Sequence, residues 1–219
     1  MPVPSLCVVC RAPSPRDVLC RPCRAALPWI FAACVRCGLP RCGPCPAAAQ
    51  AFDVAWSPMR HDGVARDLLL ALKLRGALPA ADVIAAQMLA RAPPEARELL
   101  AGGDVVVVPV PGHAARTRRR GFDPAERIAR AVARRGGWAL FDGMRRGRAS
   151  TRQLGRGRGR RLDRGAMTLA KPAPSGAIAL LVDDVHTTGA TLDACAAALK
   201  PAGFLQIAAV TYVRTLIEP

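Results

Sequence analysis

The sequence predicts an α/β protein, a mainly parallel sheet flanked by helices, preceded by a small cysteine-rich head. Three observations carry that expectation. Residues 104–108 form a β-branched run between Gly102-Gly103 and Pro109, as a strand buried on both faces requires. Apolar runs at residues 177–182 and 207–213 repeat the pattern, and helical spacing fills the intervals, an alternation that builds parallel sheets. Eight of the nine cysteines crowd into residues 7–45, marking a change of composition near residue 50.

Taken in order, residues 1–50 are the cysteine-rich unit and residues 51–219 the α/β unit. Residues 52–57 suit a short strand. Residues 63–74 place Val64, Leu68, Leu69 and Leu72 at helical spacing and end on Lys73, Arg75 and Gly76. Residues 80–100 read as a helix broken at Pro93-Pro94. Residues 124–135 are helical, with Asp123 as cap and Pro124 in the first turn. A last helix covers residues 191–199, closed by Pro201 and Gly203. Residues 145–164 have no apolar period and many Gly and Arg, and read as a loop.

With 51% hydrophobic but only 4% aromatic residues, the core must be built from Ala, Leu, Val and Ile. A net charge of +16, carried almost wholly by Arg, favours polyanions such as nucleic acid or polyphosphate. The competing reading is a basic surface that is merely soluble. No apolar run reaches about 18 residues, so no membrane insertion is expected. The start of the chain lacks a secretory h-region, and the expected location is cytoplasmic. In a reducing compartment, paired cysteines point to metal before disulfides.

The cysteines fall as Cys7-x-x-Cys10, Cys20-x-x-Cys23, Cys34-x-x-Cys37 and Cys42-x-x-Cys45. Each spacing turns two thiolates onto one tetrahedral ion, and two such knuckles complete a closed, structural zinc site. Eight ligands make two Zn²⁺ sites. Sequential pairing is the simplest assignment, and a crossed one stays open. The alternative, a redox role, fits four repeats of one spacing poorly. Zinc would staple a segment too small to bury a core. Cys195, on an Ala-rich helix, reads as a small buried residue.

The constellation that bears chemistry is a buried strand, then Asp183-Asp184-Val185-His186-Thr187-Thr188-Gly189-Ala190-Thr191, then a helix. The strand brings the loop to the carboxyl end of the sheet, where α/β proteins bind ligands. Gly189 admits close approach of an anion, and the amides and hydroxyls of Thr187, Thr188 and Thr191 can donate to phosphate beside a helix N-terminus. Two adjacent acids cannot bind that same phosphate. They can accept from the vicinal hydroxyls of a ribose. The competing reading is a polar turn before a capped helix. His186 could touch substrate, act as a base, or point to water.

Leu181 to Thr191 resembles the phosphoribosyl pyrophosphate signature of the type I phosphoribosyltransferases. The wider chain resembles the ComF family of competence-related proteins, through Lys73-Leu74-Arg75-Gly76, Pro109-Val110-Pro111 with Arg116 and Arg120-Gly121-Phe122, and Ser150-Thr151-Arg152-Gln153. It departs where that family commonly has an aromatic at His186 and an Asn-Gln pair at Asp123-Pro124. The resemblance implies a type I phosphoribosyltransferase-like sheet with a double zinc-ribbon head. It implies a pyrophosphate site at Lys73, Pro109, Val110, Pro111, Arg116 and Arg120, with Asp183 and Asp184 catalytic and Mg²⁺ arriving with phosphoribosyl pyrophosphate. It also implies a link to DNA uptake, with single-stranded DNA and a helicase as partners.

The loop carrying Arg145, Arg146, Arg148, Arg152, Arg156, Arg158, Arg160, Arg161 and Arg164 has two competing physical uses. It could close over pyrophosphate and exclude water. It could instead track a nucleic-acid backbone by charge, non-specifically and with strong salt dependence. The expectation is therefore a phosphoribosyltransferase of unknown acceptor, or a non-catalytic DNA-binding factor on the same fold.

Overall fold

A computed structural model of the chain describes residues 5–147 and 166–216. A short helix α1 (Arg21–Ala25) lies in the cysteine-rich segment. There follow β1 (Val54–Trp56), β2 (Met59–Arg60), α2 (Gly63–Arg75), α3 (Ala80–Ala90), α4 (Pro94–Ala101), β3 (Val105–Pro109), α5 (Ala114–Arg120) and α6 (Pro124–Gly136). Then come β4 (Ala139–Leu140), β5 (Met144–Arg146), β6 (Met167–Leu169), β7 (Ile178–His186), α7 (Ala190–Leu199) and β8 (Gln206–Arg214). The strands form a sheet in the order β1-β8-β7-β3-β4, with β2 also against β8, and all these pairings are parallel. β5 and β6 form a separate antiparallel pair.

Successive strand side chains point to opposite faces, and both faces are covered. On one, Val107, Leu180, Val182 and Val210 pack with Leu68 and Leu72 of α2, Ile84 of α3 and Ile128 of α6. On the other, Val108, Ala179, Leu181 and Ala209 meet Leu192, Cys195 and Leu199 of α7, together with Met144 and Met167 of the β5–β6 pair. Cys195 is fully buried, as expected of a small apolar side chain.

The cysteine-rich segment is divided between these two layers. Cys7, Leu19, Cys20, Cys23 and Leu27 join the first, and Cys37 and Ala47 join the second. These residues are buried against the α/β body, whereas Leu6 and Phe31 of the same segment are exposed.

Three elements differ from the sequence expectation. β7 runs on to His186, four residues past the apolar run, because β8 stays beside it as far as the His186–Arg214 pair. The stretch after Pro111 coils into α5, which ends at Gly121 in the left-handed region. Met144–Arg146 is strand rather than loop, paired with Met167–Leu169. The remaining arginines assigned to that loop, from Arg148 to Arg164, lie outside the described residues.

Candidate functional site

The order of the strands creates a crevice. From β3 the chain goes outward to β4, then returns to the other side of β3 as β7 and on to β8. Such a switch point is where open α/β sheets bind ligands. β3 leaves β7 at the Pro109–Val182 pair, and the Val110 amide makes a final hydrogen bond to Val182 O at 2.9 Å. Beyond it no strand among the described residues pairs with β7 on that side, and Asp183 and Asp184 begin there.

A cavity of about 220 Å³ fills the gap, and both aspartates line it with Thr191 of α7. Val110, Pro111 and Gly112 form another wall, and Lys73, Arg116, Arg120 and Arg146 supply positive charge. Lys73 Nζ lies 2.7 Å from Asp184 Oδ2. Arg146 reaches Pro111 O through Nη2 at 3.4 Å, while its buried Nε has no partner among the described residues. Asp183 accepts the Asp184 amide at 2.7 Å. Burial first, then the neighbouring Asp184 charge, push the Asp183 carboxyl well above its ordinary range, against the opposing pull of Lys73.

A second groove of about 290 Å³ adjoins this cavity and shares Lys73, Arg116 and Arg120 with it. Arg119, Leu74, Gly76 and Phe122 complete its lining, and no acid is among them. Each is small beside a typical ligand site of roughly 300–1,000 Å³, so an extended ligand would need both.

The predicted site residues do not all meet there. Pro109 is buried within β3, and Arg145 spends its guanidinium on Asp142 O and Met144 O at 2.6 and 2.9 Å. Thr187 and Thr188 are exposed and do not line the cavity, and the Thr188 hydroxyl accepts the Ala190 amide at 3.3 Å. Gly189 caps α7 at φ 81°, where an added Cβ would lie 2.9 Å from both Gln50 Oε1 and His186 Nε2. Only glycine fits that conformation and that space. Val185 is half-buried on β7. His186 is 2% exposed, so it neither points to water nor lines the cavity. Burial and then the nearby Arg214 lower its pKa to about 3, which keeps the ring neutral.

Sequence reasoning missed Asp123, His113 and Thr117 as lining residues. Asp123 was legible as a helix cap, and its side chain does accept the Ala125 amide at 3.0 Å. The same carboxylate accepts the Gly112 amide at 2.8 Å, a contact between loops that spacing does not reveal.

The cysteines gather as Cys7, Cys10, Cys20 and Cys23, and as Cys34, Cys37, Cys42 and Cys45, which is the sequential pairing. Within each set the ligand atoms lie within 4.8 Å of one another, and Cys10–Cys20 and Cys34–Cys45 sulfurs are 3.5 and 3.8 Å apart. Tetrahedral zinc with bonds of about 2.3 Å needs sulfurs about 3.8 Å apart, so both sets could hold it. Burial opposes ionisation of Cys7, but the amides of Cys20, Cys10 and Val9 outweigh it and bring the thiol to about 6. In the second set Cys34 falls to about 7 for the same reason. Their partners Cys23 and Cys37 move the other way, pushed up chiefly by burial, so each set holds its thiols at unequal pKa values until a cation neutralises them together.

No protein-family model matches the chain, and no curated protein matches it.

Proposed function

We propose that the crevice between β3 and β7 binds phosphoribosyl pyrophosphate with Mg²⁺, in the manner of a type I phosphoribosyltransferase of the ComF branch. The observation that carries this reading is the pairing of Asp183 and Asp184 with Thr191 around one cavity, opposite four cations. In this reading the 5′-phosphate rests at the amide-rich start of α7, with Thr187, Thr188 and Thr191 donating. The ribose hydroxyls donate to Asp183 and Asp184. Pyrophosphate meets Val110, Pro111 and the guanidiniums of Arg116, Arg120 and Arg146. Mg²⁺ is held chiefly by ligand oxygens and water, as it prefers.

Transfer breaks the bond from C1′ to the pyrophosphate oxygen, which keeps the electron pair. An acceptor nucleophile makes the new bond at C1′. The chain's own contribution is orientation of the sugar and neutralisation of the leaving charge. The acceptor enters from the Phe122 side, through the basic groove. That groove also supports a second reading, non-catalytic binding of single-stranded DNA by charge, in keeping with a role in DNA uptake.

Calorimetry with phosphoribosyl pyrophosphate and Mg²⁺, repeated with single-stranded DNA, separates the two. The enzymatic reading expects saturable binding of the first ligand, lost when Asp183→Asn and Asp184→Asn are combined in a folded protein. Equal affinity in that double variant rejects the ribose assignment. Binding of DNA alone favours the second reading.

A further inference from the structure

Arg214, the last residue of β8, is the only buried lysine or arginine among the described residues, at 4% exposure. It has no carboxylate partner among them. Its hydrogen bonds go to backbone carbonyls instead. Nε donates to Cys37 O at 3.0 Å, while Nη1 donates to His186 O at 2.9 Å, to Thr215 O at 3.2 Å and to Thr187 O. One guanidinium therefore joins a knuckle of the second cysteine set to the first turn of the loop that leads into α7.

Neighbouring contacts run in the same direction. Gln50 Nε2 donates to Thr188 O at 3.2 Å, and the Ala51 amide donates to Asp193 Oδ1 in the first turn of α7 at 2.7 Å. Arg36 ties that segment down, reaching Asp53 O at 2.9 Å and Gln50 O at 3.1 Å. A Cβ on Gly38 would stand 3.6 Å from Arg214 Cδ, so the knuckle backbone lies directly against the arginine.

A buried guanidinium needs an opposite charge as well as dipoles. Four thiolates around one divalent ion leave a net charge of minus two by simple addition. The loaded second set is thus the counter-charge that the buried cation otherwise lacks. We propose that the metal-loaded Cys34, Cys37, Cys42 and Cys45 set anchors the 187–191 loop, with Arg214 as the positioning residue between them. Coupling of this kind is reciprocal: the cation holds metal at the second set, and the metal holds the loop. The first set, in the opposite layer, has no such connection to the loop among the described residues.

The test compares matched exposed ligands in the full chain, Cys42→Ser in the second set and Cys10→Ser in the first. Zinc content, amide exchange of residues 187–190 and binding of ribose 5-phosphate are read on each. Cys42→Ser is expected to lose one zinc and to speed exchange there by about tenfold or more, as local opening does. Cys10→Ser is expected to lose one zinc and leave that exchange at the wild-type rate. Arg214→Lys keeps the charge without the fork. It is expected to hold both zinc ions against a chelator and still exchange rapidly at residues 187–190, whereas Arg214→Met also releases one zinc sooner. Unchanged exchange in Cys42→Ser, or equal acceleration in Cys10→Ser, overturns the proposal. If a serine variant gives no cooperative melt, Arg214→Lys decides alone, and wild-type exchange in it overturns the proposal. Zinc and exchange do not depend on what the loop binds. Failure of wild-type protein to take up ribose 5-phosphate would count against the phosphoribosyl reading only.

Discussion

Lys73 Nζ lies 2.7 Å from Asp184 Oδ2, which ties the last turn of α2 to the carboxyl end of β7 across the crevice. Both side chains are mostly buried, at 23% and 17% exposure, so the pair is only weakly screened. Removing the cation leaves two adjacent carboxylates facing each other's charge. Lys73→Met is expected to destabilise the fold by about 1–3 kcal/mol, the cost of stranding a polar partner. It should also raise the Asp183 carboxyl further, because Lys73 now opposes that shift. Urea unfolding checks the first outcome, and carboxyl titration by NMR the second. Unchanged stability would mean the pair forms without consequence.

Asp183 gives a pH signature of unusual sign. Its folded pKa is raised, so the stabilisation that comes with its protonated form is full below the unfolded value of about 3.9. It is lost as pH rises through the folded value. At neutral pH the ionised group therefore costs stability. Asn keeps the oxygen that accepts the Asp184 amide. Asp183→Asn should unfold at higher urea than wild type at pH 7, with the gap closing as pH falls towards 4. A variant less stable at pH 7 would contradict the assigned shift.

Metal should be inseparable from folding at the head. Cys7, Cys20 and Cys23 are buried among Leu19, Leu27 and the α2 leucines, so protonated, repelling or misplaced sulfurs would disturb the main core. Elemental analysis is expected to find two zinc ions per chain. Acidification or chelation should release them and lower the melting temperature, because the ligands must be thiolates. A metal-free protein melting at the same temperature would refute the zinc assignment.

Gly112 permits one specific contact. A Cβ there would lie 2.4 Å from Asp123 Oδ2, the oxygen that accepts the Gly112 amide. Gly112→Ala must break that bond and shift the α6 cap. The expected loss is about 1–2 kcal/mol, the usual range for a helix cap, with weaker ligand binding at the 110–112 wall. Paired thermal melts and calorimetry of the two proteins provide the check.

Much of this could be read in one dimension, because it depends on local spacing. Knuckle cysteines with two residues between them imply two tetrads, though not which knuckles share one, and the β-branched run at 105–108 implies a strand buried on both faces. The Asp123 cap and the Gly76 stop appear where the sequence places them. Asp183 and Asp184 could be singled out because two acids at the end of an apolar strand have few structural uses.

What needed three dimensions are the relations between distant segments. His186 looks like a loop residue until β8 is seen running beside it, and only then is it buried. Arg146 belongs by composition to an arginine-rich stretch, yet strand pairing with Met167 brings it to the cavity. Nothing in the spacing of Arg214, near the end of the chain, connects it to Cys37, 177 positions earlier. Periodicity and ligand spacing record what a segment does with its immediate neighbours. Which carbonyls a buried cation finds is decided by the packing of both sheet faces, and that is a property of the whole fold.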